Sequence, residues 1–331
     1  MSTVRIGFVG VGGIAHAHLD ALSQIENVAL VAFCDVDASR AEATATRFSG
    51  RAYTDFEAML RAESLDALYV CVPPHAHEGI EERAAEKGIH LFVEKPVART
   101  LQRARQIEAA IQRAGVLSSV GYHFRYYSAT DRARERLQGL PIGMVIGYWH
   151  GGMPGAPWWR QHALSGGQMV EQTTHIVDLA RYLVGEIVEV HAYFAQGVAP
   201  LPYPESDVSE AGVVALRFAN GAVGVISNTC MLNVPGEVAL KIYTPNRLVE
   251  LSWGKVIETE ANRREEYTPR ENPYLSEDRA FIEAIRTGNR DLIRSPYADA
   301  VRTLAVTLAA DESARTGKPI KVADYLQSAQ V

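Results

Sequence analysis

Over the first 120 residues, short runs of β-branched and aromatic residues alternate with longer Ala-rich stretches whose apolar positions recur at helical spacing. This is the pattern of a parallel sheet covered by helices. It predicts strands at 4–9, 28–33, 67–72, 90–93 and 117–121, and helices at 13–24, 38–48, 75–86 and 101–113. The strand runs are nearly continuously apolar, as strands buried on both faces must be.

After Gly121 the texture changes. Long alternating segments at 143–151, 188–197, 211–218, 222–230, 238–243 and 247–253 are separated by turns rather than helices, which predicts a mainly antiparallel sheet. Asn220-Gly221 between two of them predicts a type I′ hairpin, whose central residues both need positive φ. Helices are predicted at 168–183, 276–286 and 297–316. The expected architecture is therefore α/β: a doubly wound Rossmann domain over residues 1–121, then an α+β domain over 122–331 with a large, mainly antiparallel sheet.

Composition narrows the function classes. Of 331 residues, 47% are hydrophobic and 22% charged, an ordinary globular balance, and the formal net charge is -6. Without a Lys/Arg block, neither nucleic acid nor a membrane surface is expected as a partner. Cys34, Cys71 and Cys230 are far apart in sequence, so no disulfide framework and no CxxC metal site is expected. Cytoplasmic localisation fits this usage. The paired histidines His16/His18 and His75/His77 lack a nearby Cys pair and read as loop-capping and packing residues, so no metal is expected.

Candidate chemistry begins at Gly10-Val11-Gly12-Gly13-Ile14-Ala15, between the first strand and the first helix. Small residues there let the backbone approach a pyrophosphate held at the helix N-terminus, which makes Gly10, Gly12, Gly13 and Ile14 nucleotide contacts. Asp35, at the end of the second strand, suits the adenosine ribose. Its charge favours NAD over NADP, although Arg40 softens the repulsion of a 2′-phosphate. Helix capping by Asp35 or Asp37 is the bland alternative.

The strands ending at Val72-Pro73-Pro74 and at Glu94-Lys95-Pro96 direct their carboxyl ends to the ligand crevice of an open sheet. Val72, Pro73, Glu94 and Lys95 are thus cofactor-side candidates, and the Lys95 ammonium can stabilise negative charge developing on a substrate oxygen. Further on, Ser165-Gly166-Gly167 leads into a predicted helix that places Glu171 with His175, and Gln168 with Gln172, at i and i+4 on one face. An imidazole so placed can take the proton of a hydroxyl as hydride leaves its carbon.

Together, the glycine turn, Pro73-Pro74 with His77, Glu94-Lys95-Pro96 and the stretch from Gly166-Gly167 to Asp178 resemble the Gfo/Idh/MocA family over essentially the whole chain. The resemblance implies a Rossmann domain, an antiparallel-sheet domain that often mediates oligomer contacts (dimer or tetramer), and pyranose, inositol or related polyol substrates. It also implies His175 as the catalytic base, His77 near the cofactor, and His123, Arg125, Trp159 and Arg160 around the substrate. This chain has Glu171 where the family commonly has Asp. Catalysis is expected from Lys95, His175 and Glu171, with Gln172 beside the substrate. Three readings remain open: a dehydrogenase releasing its NADH, an enzyme that keeps and recycles its NAD, and a sensor without chemistry.

Overall fold

The computed structural model describes residues 3–198, 203 and 205–328. It falls into two compact units, one of Met1–Ala98, Arg103–Tyr126 and Glu271–Ala300, the other of Arg99–Gln102, Tyr127–Arg270 and Val301–Val331.

The first unit is built on strands β1 (Val4–Val9), β2 (Val28–Cys34), β3 (Arg51–Tyr53), β4 (Ala67–Val70), β5 (His90–Val93) and β6 (Ser118–Val120). They form one parallel sheet in the order β3-β2-β1-β4-β5-β6. This is the Rossmann fold that the alternation of apolar runs predicts. Strand order reverses between β1 and β4, which puts a ligand crevice at the carboxyl ends of the strands. Phe8, Tyr69 and Phe92 stack side by side through the sheet, with centroids 4.8 and 4.6 Å apart. Phe281 from the helix Pro273–Thr287 closes over Tyr69 and Phe92 edge-on.

The second unit carries nine strands: β7 (Met144–His150), β8 (Ile187–Ala195), β9 (Ala211–Phe218), β10 (Val223–Thr229), β11 (Glu237–Tyr243), β12 (Leu248–Ser252), β13 (Lys255–Glu260), β14 (Arg263–Tyr267) and β15 (Ile320–Lys321). Their order is β14-β13-β12-β11-β7-β10-β9-β8-β15, antiparallel throughout except for the β7–β10 pair. Alternation in β9 buries Gly212, Val214, Leu216 and Phe218 and exposes the residues between them, apart from half-buried Ala211. The helix Thr174–Val184 lies against β7 and β11. That approach requires Gly147, where a Cβ would stand 2.6 Å from Ile176 Cγ2.

Several expected elements change. The helix predicted over 75–86 is a 3₁₀ turn, Pro74–Ala76, followed by a helix Ile80–Glu86. Gly79 between them has φ +77°, outside helical conformation. The 220–221 hairpin forms but is not type I′, because Asn220 keeps negative φ and only Gly221 is positive, at +90°. The Asn220 carboxamide instead accepts the Ala222 N–H and donates to the Val184 carbonyl, and Gly221 N–H returns to Phe218 O. Such a turn closed by a left-handed glycine is the three-residue alternative. The helix predicted over 168–183 is two, Gly167–Glu171 and Thr174–Val184. Both Gln172 N–H and Thr173 N–H go to the Gln168 carbonyl, so the chain winds wide at this point. Pattern reading also missed β3, β13, β14, β15 and the helices Phe56–Ala62 and Ser128–Leu137.

Candidate functional site

In the first unit, the glycine turn joins β1 to the helix Gly13–Leu22. Gly10 has φ +80°, and a Cβ there would lie 2.6 Å from the Cys71 carbonyl oxygen. Around Gly12 and Gly13, by contrast, a Cβ would meet nothing within 4 Å. The helix begins with no side-chain cap and no acidic residue in its first turn. No side chain therefore caps its first N–H groups, which is what a pyrophosphate needs. Half-buried Ile14 follows in the first turn.

Asp35 is buried, and its two carboxylate oxygens accept the N–H groups of Val11 and Asp37, both at 2.9 Å. It therefore braces the glycine turn and keeps lone pairs for a ribose hydroxyl. Capping falls to Asp37, which accepts Ser39 N–H and Arg40 N–H. Arg40 pairs with Asp37 at 3.2 Å rather than with Asp35, and is largely exposed. The residues fit a dinucleotide.

Val72 and Pro73 are half-buried in the loop after β4. His77 beyond them is buried, with Nδ1 on the Glu81 carboxylate and Nε2 without a hydrogen-bond partner among the described residues. Half-buried Lys95 is the second residue after β5, and its peptide bond to Pro96 is cis. Its N–H donates to Glu94 Oε2 at 3.0 Å.

Behind Glu94 lies a network that sequence reasoning missed. His18 donates Nε2–H to Glu94 Oε1 at 3.0 Å and Nδ1–H to Asp278 Oδ1 at 2.9 Å, and Tyr69 OH donates to the same Asp278 oxygen at 3.1 Å. Burial works to lower the His18 pKa, but Asp278 and then Glu94 outweigh it and hold the imidazole well above its ordinary value. His18 is thus part of a charged cluster, not a packing residue. The available signal was a histidine on the buried stripe Ala15, His18, Leu19 and Leu22 of its helix.

His123, buried and packed on the Tyr274 ring at 4.6 Å, belongs to the same patch. Burial first, then the charges of Lys95 and His18, push its pKa down to about 3. Arg125 does not fit the expected substrate role. Its guanidinium is buried and committed to Asp299 Oδ2 and the Arg294 carbonyl, both at 2.5 Å.

In the second unit, His175 is buried in the first turn of Thr174–Val184 with its ring stacked on Trp149 of β7, centroids 5.8 Å apart. The break at 172–173 removes the i, i+4 relation expected for Glu171 and His175. Glu171 accepts Trp159 Nε1–H at 2.8 Å. Gln172 accepts from Gln168 at 3.2 Å, and the Gln168 amide also donates to Thr229 O at 2.9 Å, which ties this segment to the sheet. Asp178 is fully buried and accepts from Thr303 Oγ1.

Two expectations are corrected here. Trp159, expected beside the substrate, is 1% accessible and packs with Val208 and Cys230. Arg160 is held by Glu205 Oε1 and Gly155 O, both at 2.8 Å, with its guanidinium over the Tyr203 ring. Among the described residues no group of three or more His, Cys, Asp or Glu is placed to hold a metal ion. No described helix is long and apolar enough to cross a membrane.

Residues 4–122 match the family model described as an oxidoreductase family with an NAD-binding Rossmann fold, and residues 115–246 match the GFO/IDH/MocA C-terminal domain. An uncharacterized oxidoreductase, YrbE, of Bacillus subtilis is 31% identical over 67% of this chain and 66% of its own length. The myo-inositol 2-dehydrogenase of Thermotoga maritima is 30% identical over 68% of each chain. Among solved structures, the WlbA dehydrogenase of Bordetella pertussis, in complex with NADH and UDP-GlcNAcA, superposes with a TM-score of 0.84 at 26% identity, covering 96% of this chain and 98% of that one.

Proposed function

Since the chain belongs to the Gfo/Idh/MocA family of NAD-binding oxidoreductases, we propose that it oxidises a secondary alcohol of a sugar, cyclitol or related polyol, or reduces the matching ketone. The observation that carries this reading lies in one sheet. The glycine turn leaves the carboxyl end of β1, and Lys95 leaves that of β5, two strands away. A nucleotide seated on the turn and a cation at the same edge of the sheet are the two parts such a reaction needs from this unit.

Held by the glycine turn and Asp35, NAD would supply the acceptor for the hydride that leaves the carbinol carbon. The Lys95 ammonium hydrogen-bonds the reacting oxygen and stabilises negative charge on it as the O–H proton departs. His175 takes that proton, and returns it in the reductive direction. Glu171, its carboxylate oriented by Trp159 Nε1–H, binds a neighbouring hydroxyl, with Gln172 beside it. Val72, Pro73, His77 and Glu94 line the nucleotide side with Gly10, Gly12, Gly13, Ile14 and Asp35. Residues 1–121 thus bind the nucleotide, with segment 271–300 added to them, and the rest of 122–331 serves substrate and assembly.

Assembly is proposed through the open face of the second sheet, against a second copy of the chain. Tyr193 and Val213 stand opposite each other on β8 and β9, at 68% and 49% exposure, and Val223 on β10 is 51% exposed. An apolar surface of this kind on a long sheet is what a homo-oligomer buries. Three buried, unpaired cysteines suit a reducing cytoplasm.

The test is NADH formation across a panel of monosaccharides, inositols, anhydrosugars and sugar acids. With the best substrate, Lys95→Ala and His175→Ala are expected to lower turnover by at least ~100-fold while nucleotide still binds. A near-normal rate in either variant removes that residue from the chemistry.

A further inference from the structure

We propose that His18 is a positioning residue for Lys95: clamped between Asp278 and Glu94, it fixes the carboxylate on which the Lys95 backbone rests. The inference rests on the reading of Lys95 as the group that touches the reacting oxygen.

The geometry is closed on every side. Both His18 ring nitrogens meet carboxylate oxygens, at 2.9 and 3.0 Å, and carboxylates only accept. The ring therefore donates twice and cannot flip or tilt without losing a charged hydrogen bond. The other Glu94 oxygen accepts Lys95 N–H at 3.0 Å. Gly121 presses on the same carboxylate so closely that a Cβ there would overlap it. The Glu94 carboxylate is thus held by His18 on one oxygen, bounded by Gly121, and bonded through the other oxygen to the backbone N–H of Lys95.

Three elements meet at this imidazole, and each bears on the site. His18 lies on the helix that opens at the glycine turn, Glu94 follows the strand that delivers Lys95, and Asp278 comes from the helix Pro273–Thr287. Three fully or nearly fully buried ionisable side chains are a poor source of stability, because desolvation cancels most of their attraction. They are a good source of fixed geometry. A tether from the helix that opens at the glycine turn to the Lys95 backbone fixes the point from which the ammonium extends. A displacement of about 1 Å at such a group can cost a factor of 10² in rate.

The groups facing His18 are Asp278, Glu94, Tyr69 and Tyr274, with Lys95, His123, Cys71 and Glu277 nearby. Removing the Asp278 charge while keeping an acceptor, as in Asp278→Asn, must therefore let the imidazolium lose its proton at a lower pH.

The experiment uses the intact protein, with NADH binding followed by fluorescence, thermal unfolding, and kcat and KM for the best polyol. His18→Gln, whose single amide nitrogen cannot stand where both ring nitrogens do, is expected to lower kcat by at least ~10-fold with NADH affinity within about 3-fold of wild type. Asp278→Asn is expected to move the alkaline limb of the kcat profile to lower pH. An unchanged kcat in folded His18→Gln overturns the inference, as does an unshifted profile in Asp278→Asn, which also decides the matter if His18→Gln does not fold. Lys95→Ala runs in parallel. Full turnover in that variant defeats the reading of Lys95 itself, whereas its loss beside a fully active His18→Gln defeats only the positioning role.

Discussion

His123 illustrates how far burial moves a side chain from its solution behaviour. Its pKa falls from 6.5 to about 3, so the folded protein holds it neutral where the unfolded chain would protonate it. A depressed folded-state pKa contributes stability that is present above about pH 6.5 and is lost as pH falls toward 3. The gap in Tm between wild type and His123→Gln is therefore expected to shrink from pH 7 to pH 4. A gap that stays constant over that range would show that the imidazole is not held neutral. His18 is the mirror case, since its raised pKa makes its contribution vanish on the alkaline side. At this scale the sequence located Gly10 at a left-handed turn and Asp35 at the end of β2, because a positive φ and a strand terminus both leave local signatures. It misread Arg125 and Trp159, because a buried ion pair with Asp299, 174 residues away, and a packed indole have no local signature.

Elements show the same division. The alternation of apolar runs located five of the six parallel strands and passed over β3, whose three residues are exposed or half-buried. It failed for β14, whose sequence RREEY is a solvated edge strand held by pairing with β13 rather than by burial. The break at Gln172–Thr173 was equally invisible, since both residues tolerate helix and only the shared Gln168 acceptor reveals the change. The glycine turn offers a sharp test of element-level reasoning. Gly10→Ala forces a Cβ against the Cys71 carbonyl at a left-handed φ, and is expected to destabilise the fold by about 1–3 kcal/mol or more. Gly12→Ala meets open space and should leave Tm nearly unchanged while weakening NADH binding, because the added methyl would obstruct a pyrophosphate approaching the turn. Equal unfolding penalties in denaturant titrations of the two variants would contradict this assignment.

For the whole molecule, two units carry separate sheets, the first with the glycine turn and Lys95, the second with His175 and the surface proposed for assembly. Charging that surface with Tyr193→Glu and Val213→Glu is expected to shift sedimentation to the monomer without altering the fold of either unit. An unchanged sedimentation coefficient would locate the contact elsewhere. The central claim is that Lys95 and His175 act as a unit on one hydroxyl, and a double-mutant cycle on turnover measures this most directly. Groups that act as a unit lose nearly all their effect when either is removed. Lys95→Ala/His175→Ala is therefore expected to turn over within about 10-fold of the slower single variant. A double variant slowed by the full product of the two single losses would contradict the account.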